Sequence, residues 1–296
     1  MVELVFLGTS DAIPSKERNH TSILLSYKNE NILIDCGEGT QRQLRIAEIN
    51  PGKITRLLIT HWHGDHILGI PGLLQTLNFS GYNQTFFIYG PKGTKEFVKE
   101  MLKTFAFQEN FKIEVQEVNG KFFETEDFYL EAEKMSHGVP CNAYSFVKKS
   151  LLRIDKKKLE KTKLSGPIVA KLKQGKDVTF NGKKFLAKNL TYKEEGKKIS
   201  FVFDTGFNER IIPFVKDSDL LICESTFGEE LEDKAEEYNH LNAKKTAEIA
   251  KKSKSKKLIL THISQRYSKN PKVILDSAKK VFKNSVLAKD FDKFEI

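Results

Sequence analysis

Four residues able to bind a metal ion fall within six positions, His61, His63, Asp65 and His66, in the run Thr60-His61-Trp62-His63-Gly64-Asp65-His66. The apolar triplet Leu57-Leu58-Ile59 comes directly before it and reads as a short buried strand. His61, His63 and Asp65 alternate, so an extended strand end presents them to one side. A single ion rarely takes four ligands from so tight a stretch, because the short bites strain its coordination angles. Two ions sharing the run fit better, with His61 and His63 on one and Asp65 and His66 on the other. Imidazole and carboxylate without thiolate suit zinc or manganese at a hydrolytic site more than a structural zinc.

The elements around this run supply what it lacks. His137, Asp204 and His262 each stand after an apolar β run, at 128–135, 198–203 and 257–261, as His61 does. Taken singly, a strand-end His or Asp is more often a turn or capping residue. Together, ligands from several strand ends converge on one edge of a sheet assembly, where α/β folds commonly place sites. In that arrangement His61, His63 and His137 hold one ion, Asp65, His66 and His262 the other, and Asp204 bridges them. Two cations so placed can activate a water and clamp a phosphodiester. Asp35 also ends a strand, but the glycine-rich turn behind it points to a carboxylate that braces loops. His20, beside Arg18 and Asn19 at a strand start, reads as structural.

The remaining pattern is mixed α/β. Strands are expected at 2–7, 21–27, 31–35, 86–89, 112–118, 122–125, 144–147 and 220–222. Helices are expected at 41–48, 67–77, 94–105, 242–253 and 273–281. Strands and helices fall into two similar halves around a basic stretch at 148–176, which carries helix-like segments at 156–164 and 169–173. That stretch holds eleven Lys or Arg against Asp155 and Glu160, a surplus of nine in a chain of net charge +10. A concentrated excess of this kind suggests a polyanionic partner, although a merely solvated lysine-rich excursion has the same composition.

Hydrophobic residues make up 39% of the 296, enough for a packed core, and no apolar stretch is long enough to span a bilayer. The apolar N-terminus is too short for a signal peptide and reads as a first strand. Cys36, Cys141 and Cys223 are far apart and form no metal-binding or disulfide pattern, which suggests a reducing, cytoplasmic setting.

The ligand order resembles that of the metallo-β-lactamase superfamily, and within it the ribonuclease Z family. The narrower resemblance rests on Leu7-Gly8-Thr9-Ser10, on Asp35-Cys36-Gly37-Glu38-Gly39-Thr40-Gln41-Arg42-Gln43, on Cys223-Glu224-Ser225-Thr226-Phe227, and on Thr261-His262-Ile263-Ser264-Gln265-Arg266-Tyr267. It implies an α/β fold, a four-layer αββα sandwich with its metals at one edge, formed by a single domain over 1–296. The stretch 148–176 then corresponds to the family's protruding arm, with Gly166-Pro167 at its turn. The implied activity is a metal-dependent endoribonuclease that removes the 3′ trailer from precursor tRNA, with another hydrolase of the superfamily as the alternative. Two Zn2+ per subunit are implied, with Mn2+ possible, and a homodimer with no membrane attachment.

By the same resemblance, Asp65 serves catalysis as well as metal binding, and His240 is the family's non-ligand histidine, the acid for the departing ribose oxygen. Histidine suits that role because its ordinary pKa lies near neutrality. Glu224 orients or charges it; a helix-start histidine bonded to backbone is the plainer reading of His240. RNA contacts are expected from Lys16 and Arg18 in one loop, from Lys156, Lys157, Lys158, Gly166, Pro167, Lys171 and Lys173 in the arm, and from Arg266, with Ser264 beside it. The chain departs from many relatives at Cys223 and at Leu241-Asn242-Ala243, which leaves Glu224 and His240 in place.

Overall fold

Alternation along the strand Glu3–Gly8 sends Leu4 and Phe6 to one face and Val5 and Leu7 to the other, and all four are buried. A strand buried on both faces needs a layer above and a layer below. The computed structural model, which describes residues 1–296, supplies both.

The first sheet runs in the order Lys293–Glu295, Glu3–Gly8, Ser22–Tyr27, Glu30–Ile34, Arg56–Leu58, Phe86–Gly90, Ile113–Glu117. Its pairing is antiparallel as far as Glu30–Ile34 and parallel beyond. The second runs Gly120–Glu124, Phe128–Met135, Cys141–Lys148, Lys197–Val202, Leu220–Glu224, Leu258–Thr261, Ser285–Leu287. It too is antiparallel as far as Lys197–Val202 and parallel beyond, so the two halves repeat one topology. Leu4, Phe6, Ile23 and Leu25 meet Tyr144, Phe146, Phe201 and Ile222 between the sheets. Outside the first sheet the helix Ile70–Phe79 packs Leu73, Leu74 and Leu77 against Val5, Leu7 and Leu33. Outside the second, Ala243–Lys252 and Lys272–Val281 cover Leu221, Leu258 and Leu260 with Ala247, Ala250, Ile274 and Ala278. The layers are therefore αββα, as the resemblance implies. No helix is long and apolar enough to cross a membrane.

Three local features differ from expectation. The helix expected at 67–77 is two, Gly64–Ile67 and Ile70–Phe79. The break is steric: the Gly69 amide donates to the Cys36 carbonyl at 2.9 Å, and a Cβ there would stand 2.2 Å from the Gly37 carbonyl oxygen. Two short strands near the C-terminus, Ser285–Leu287 and Lys293–Glu295, close one edge of each sheet. The largest difference lies after the arm's expected end. Leu151–Ile154 pairs with Thr191–Glu194, and between them come helices Lys156–Glu160 and Pro167–Lys173, the hairpin Val178–Phe180 with Lys183–Phe185, and helix Ala187–Leu190. Leu164, Leu172, Val178, Ala187 and Leu190 give this unit a small core of its own. Strands of three residues carry too few positions to show a period of two.

The unit leaves the second sheet at Lys148 and returns at Lys197, and the Gly196 amide donates to Ser150 Oγ at 2.9 Å across the root. Arg153 bonds Glu194 at 2.6 Å and Asp127 at 2.8 Å, and Lys148, itself buried, bonds Glu194 at 2.6 Å. The shared cations hold the Glu194 carboxyl down at about 2.

Candidate active site

Both sheets switch from antiparallel to parallel pairing at one strand, and an aspartate follows each of those strands: Asp35 after Glu30–Ile34 and Asp204 after Lys197–Val202. Switch points are where α/β sheets open to ligands. Asp35, Asp204 and His262 take left-handed backbone, at φ 56°, 36° and 57°. A non-glycine residue there costs about 1–2 kcal/mol, and the turn it makes carries each side chain across the sheet edge instead of onto a sheet face. Contacts between the halves hold the edge together. Tyr144 hydroxyl donates to the Ile59 carbonyl at 2.7 Å, and the Asn142 amide donates to the Thr60 carbonyl at 2.9 Å, immediately before His61. Losing the buried Tyr144 donor would leave that carbonyl unpaired, at about 1–3 kcal/mol.

At this edge the seven expected ligands form two nests. In the first, His61 Nε2 and His137 Nε2 stand 3.1 and 3.2 Å from His63 Nδ1, and Asp204 Oδ2 lies 3.6 Å from His61 Nε2. In the second, His66 Nε2 is 3.2 Å from Asp65 Oδ2 and 3.3 Å from His262 Nε2, with Asp204 Oδ1 at 3.4 and 3.1 Å from the two histidines. Asp204 thus gives one oxygen to each nest, which fits a bridging ligand. Its Oδ1 is buried and accepts no well-formed hydrogen bond, a condition expected of an oxygen meant for a cation. Burial works against the Asp204 carboxylate, but His262, His66 and His61 hold it well below the usual carboxylate range. The donor set therefore fits divalent metal.

A second ring of hydrogen bonds decides which nitrogen each histidine offers. Nδ1 of His66 bonds Asp35 Oδ2 at 2.7 Å, and Nδ1 of His137 bonds the Asn239 carbonyl at 3.2 Å. Thr60 hydroxyl donates to Asp35 Oδ2 at 2.7 Å, so its oxygen accepts from His61 Nδ1 at 3.1 Å. The same relay recurs on the other side: Thr226 hydroxyl donates to Glu224 Oε2 at 2.6 Å and accepts from His262 Nδ1 at 2.9 Å. All four rings spend Nδ1 on these bonds and turn Nε2 to the nests, while His63 alone offers Nδ1. Such outer partners orient metal ligands and raise their basicity. Thr60, Thr226 and the Asn239 carbonyl do not stand out in the sequence; for the threonines the available signal is a hydroxyl beside a ligand or within the Glu224 motif. Asp35 braces Thr60 and His66, and buried His20 meets the Ala12 carbonyl at 3.3 Å and the Glu38 carboxylate at 3.9 Å.

Glu224, His240 and His262 form a third cluster, but its donors are already paired. Glu224 is fully buried, takes the Thr205 amide on Oε1 at 2.6 Å, and bonds His240 Nδ1 through Oε2 at 2.9 Å. Burial alone would lower the His240 pKa; the Glu224 carboxylate overrides it and pushes the value up to about 9. The Glu224 carboxylate therefore favours the imidazolium form of His240, with Nδ1 occupied and Nε2 free of protein partners. His240 lines an open cleft of about 390 Å³ with Asp11, His63, Asp65, His137, Phe227 and Tyr238.

The expected RNA contacts divide. Lys16 is exposed on the loop after Asp11 and Ala12, which line the cleft. Arg18 is turned inward instead: it is 7% exposed, and its guanidinium donates to Thr9 Oγ1 at 2.6 Å and to the Ala288 carbonyl at 2.7 Å. It pins the loop and is not free to meet a phosphate. Lys156, Lys157, Lys158, Gly166, Pro167, Lys171, Lys173 and Arg266 are exposed, whereas Ser264 is buried.

Comparison with known proteins narrows what this edge is for. A family model described as Anti-Pycsar protein Apyc1 matches residues 2–151, half of the chain, which includes His61, His63, Asp65, His66 and His137 but stops before Asp204, Glu224, His240 and His262. Two ribonucleases Z match across the remainder as well. Ribonuclease Z of Methanothermobacter thermautotrophicus is 42% identical over 299 residues, covering 100% of this chain and 97% of that protein. Ribonuclease Z of Oceanobacillus iheyensis is 39% identical over 308 residues, with 100% of each covered. Among solved structures, human tRNase Z, short form, superposes with a TM-score of 0.73 at 27% identity over 99% of both chains. The metallo-β-lactamase fold protein YhfI from Bacillus subtilis reaches the same TM-score at 18% identity, a likeness of fold alone. Identity of this order along the whole length, on the same fold and through the Glu224–His240 half of the site, means that the chain belongs to the ribonuclease Z family.

Proposed function

We propose that the chain cuts precursor tRNA at its 3′ trailer with two Zn2+ held in the two nests, Mn2+ being an acceptable substitute, and leaves a 3′-hydroxyl on the tRNA and a 5′-phosphate on the trailer. That it is a hydrolytic endoribonuclease of tRNA 3′ processing follows from its family. The observation that carries the finer reading is the pairing of an Asp204-bridged double nest with a separate, Glu224-charged histidine in one cleft. Another hydrolase of the superfamily is not favoured, because the full-length relatives share the ribonuclease Z name.

Bound divalent ions supply positive charge against the scissile phosphate and lower the pKa of water. The chain's own residues do the rest. Asp65 contributes Oδ2 to its nest and is held ionised, its pKa lowered by His66 against the opposing effect of burial. Its other oxygen orients the attacking water and takes its proton. His240, held through Nδ1 by Glu224, donates from Nε2 to the ribose 3′-oxygen as the bond to phosphorus breaks. The test is product-end mapping on a 3′-extended precursor tRNA: a 2′,3′-cyclic phosphate or 3′-phosphate on the tRNA would overturn this order of events.

RNA is gripped away from the cut. The cations of the arm that have no internal partner, among them Lys156, Lys157, Lys171 and Lys173, meet backbone phosphates, with Lys158 beside them, around the Gly166-Pro167 turn; Lys16 and Arg266 serve nearer the cleft. Since the arm's core extends to Leu190, a clean deletion removes 151–195 and joins Ser150 to Gly196, which already touch. Its expected effect is a loss of about a hundredfold in precursor-tRNA affinity at moderate salt, with turnover of a small phosphodiester unchanged. Full affinity in the truncated protein would remove the arm from recognition. The fully buried free cysteines support a cytoplasmic setting. Ile46, Leu68 and Phe79, exposed on the helices outside the first sheet, support a homodimer.

A further inference from the structure

The arm is not the only strongly basic part of the chain. Residues 244–283 hold thirteen Lys or Arg against Glu248 and Asp276, a surplus of eleven. With the surplus of nine at 148–176, that makes twenty in a chain of net charge +10, so everything else is acidic by ten. The charge is sorted, and a sorted charge points to a partner in a way that a scattered one does not.

The fold gathers the second surplus on one face. Ala243–Lys252 and Lys272–Val281 lie side by side over the second sheet, each burying its apolar stripe. Lys251, Lys252, Lys279 and Lys280 occupy their last turns on the solvent side, with Lys254 and Lys283 just beyond, and all six are exposed. Lysine in a last turn complements the helix macrodipole, but Lys254 and Lys283 lie past the helices. Lys254 also takes φ 57°, a position after a helix usually given to glycine, so charge is retained there at a conformational cost. In the segment only Lys244 and Lys256 reach a carboxylate, Glu229 and Asp219. The Lys256 partner links the two basic regions: Asp219 Oδ1 takes Lys256 at 2.8 Å and Lys197, where the chain returns from the arm, at 3.2 Å.

We propose that the outer face of these two helices is a second contact surface for the RNA backbone, continuous with the root of the arm and built from Lys251, Lys252, Lys254, Lys279, Lys280 and Lys283. It rests on the tRNA-processing reading and adds a surface to it. Each helix is ten residues, about 15 Å long, so the face spans several phosphates. The one aromatic residue among them, Phe282, packs partly buried against the core beneath, which fits recognition of backbone and shape instead of unstacked bases.

The test replaces Lys251, Lys252, Lys279 and Lys280 with Gln in the full-length protein and measures precursor-tRNA Kd against salt. A control removes the same charge elsewhere, with Gln at Lys92, Lys95, Lys99 and Lys103, a stretch interleaved with Glu96 and Glu100. The first variant is expected to bind about tenfold or more weakly at moderate salt, with the slope of log Kd against log[salt] reduced by about 2–3; the control keeps the wild-type slope, and both keep wild-type turnover of a small phosphodiester. Equal losses in the two variants would mean that only net charge matters and would overturn the proposal, as would an unchanged slope in the first. Competition by polyglutamate as effective as by tRNA would overturn RNA as the occupant. If the wild-type protein binds precursor tRNA but does not cut it, the functional reading falls, and the slopes still decide whether this face meets RNA.

Discussion

His63→Ala is expected to abolish cleavage of precursor tRNA while leaving the fold intact. His63 is the most exposed of the first nest's ligands and takes no part in any core cluster, so its stability cost should stay within about 0.5 kcal/mol. Its Nδ1 nevertheless lies 3.1 and 3.2 Å from the Nε2 atoms of His61 and His137, and without it that nest keeps two imidazoles and half a shared carboxylate. The loss should exceed the roughly 10–100-fold typical of a missing outer-shell partner. Metal analysis beside thermal unfolding reads the effect: bound metal should fall by about half, and the two proteins should share one unfolding transition when both are metal-free. A metal-saturated wild-type protein that is fully active with one ion per chain would count against the paired nests.

His240→Ala is expected to slow precursor-tRNA cleavage by about 10²–10⁴-fold, the contribution of a positioned general acid, with metal content and tRNA affinity preserved. A substrate with a nitrophenyl or 3′-thio leaving group needs no such proton and should be largely rescued. The pH dependence follows from Glu224. The His240 pKa is raised from 6.5 to about 9, so the acid form, and the stabilisation from its ion pair, are complete below pH 6.5 and are lost as pH rises through about 9. Glu224→Gln keeps the hydrogen-bonding shape but removes the charge, leaving burial to lower the pKa. NMR titration of the metal-free protein should then find His240 below its ordinary value, and the alkaline limb of the pH–rate profile should move down with it. If His240→Ala slows both substrates equally or releases metal, or if Glu224→Gln leaves the limb in place, His240 is not the acid.

Much of the site is legible in the sequence because its ligands follow apolar strands. The runs before His61, His137, Asp204 and His262 mark strand ends; parallel pairing brings Asp204 and His262 to one edge, and two antiparallel steps return the His137 strand to the same direction. What the pattern does not carry is direction. Arg18 and Lys16 look alike as two cations in a proline-bearing loop, yet only contact with Thr9 and Ala288 shows that one is a structural pin. Thr60 and Thr226 are illegible as relays because a hydroxyl's role depends on which carboxylate lies behind it: Asp35 arrives from another strand, and Glu224, two residues before Thr226, turns its carboxyl to that hydroxyl only through the bend of the chain. The 178–194 segment is hidden because its strands are three or four residues long and its core is shared with helices upstream. The lysines of 244–283 pass for ordinary solvated helix faces, since helical spacing disperses in sequence what the packed pair gathers in space.

The root of the 151–194 unit has one more consequence. Lys148 and Lys197 lie at the ends of their strands opposite His137 and Asp204, and only two chain crossings join the unit to the body. Mutations that reshape its turn, lengthen its hairpin or exchange its small core are screened from the chemistry by the full length of those strands. With the unit serving as the proposed grip on RNA, a lineage can rewrite what the enzyme holds while inheriting unchanged how it cuts, and the two traits are free to drift at different speeds.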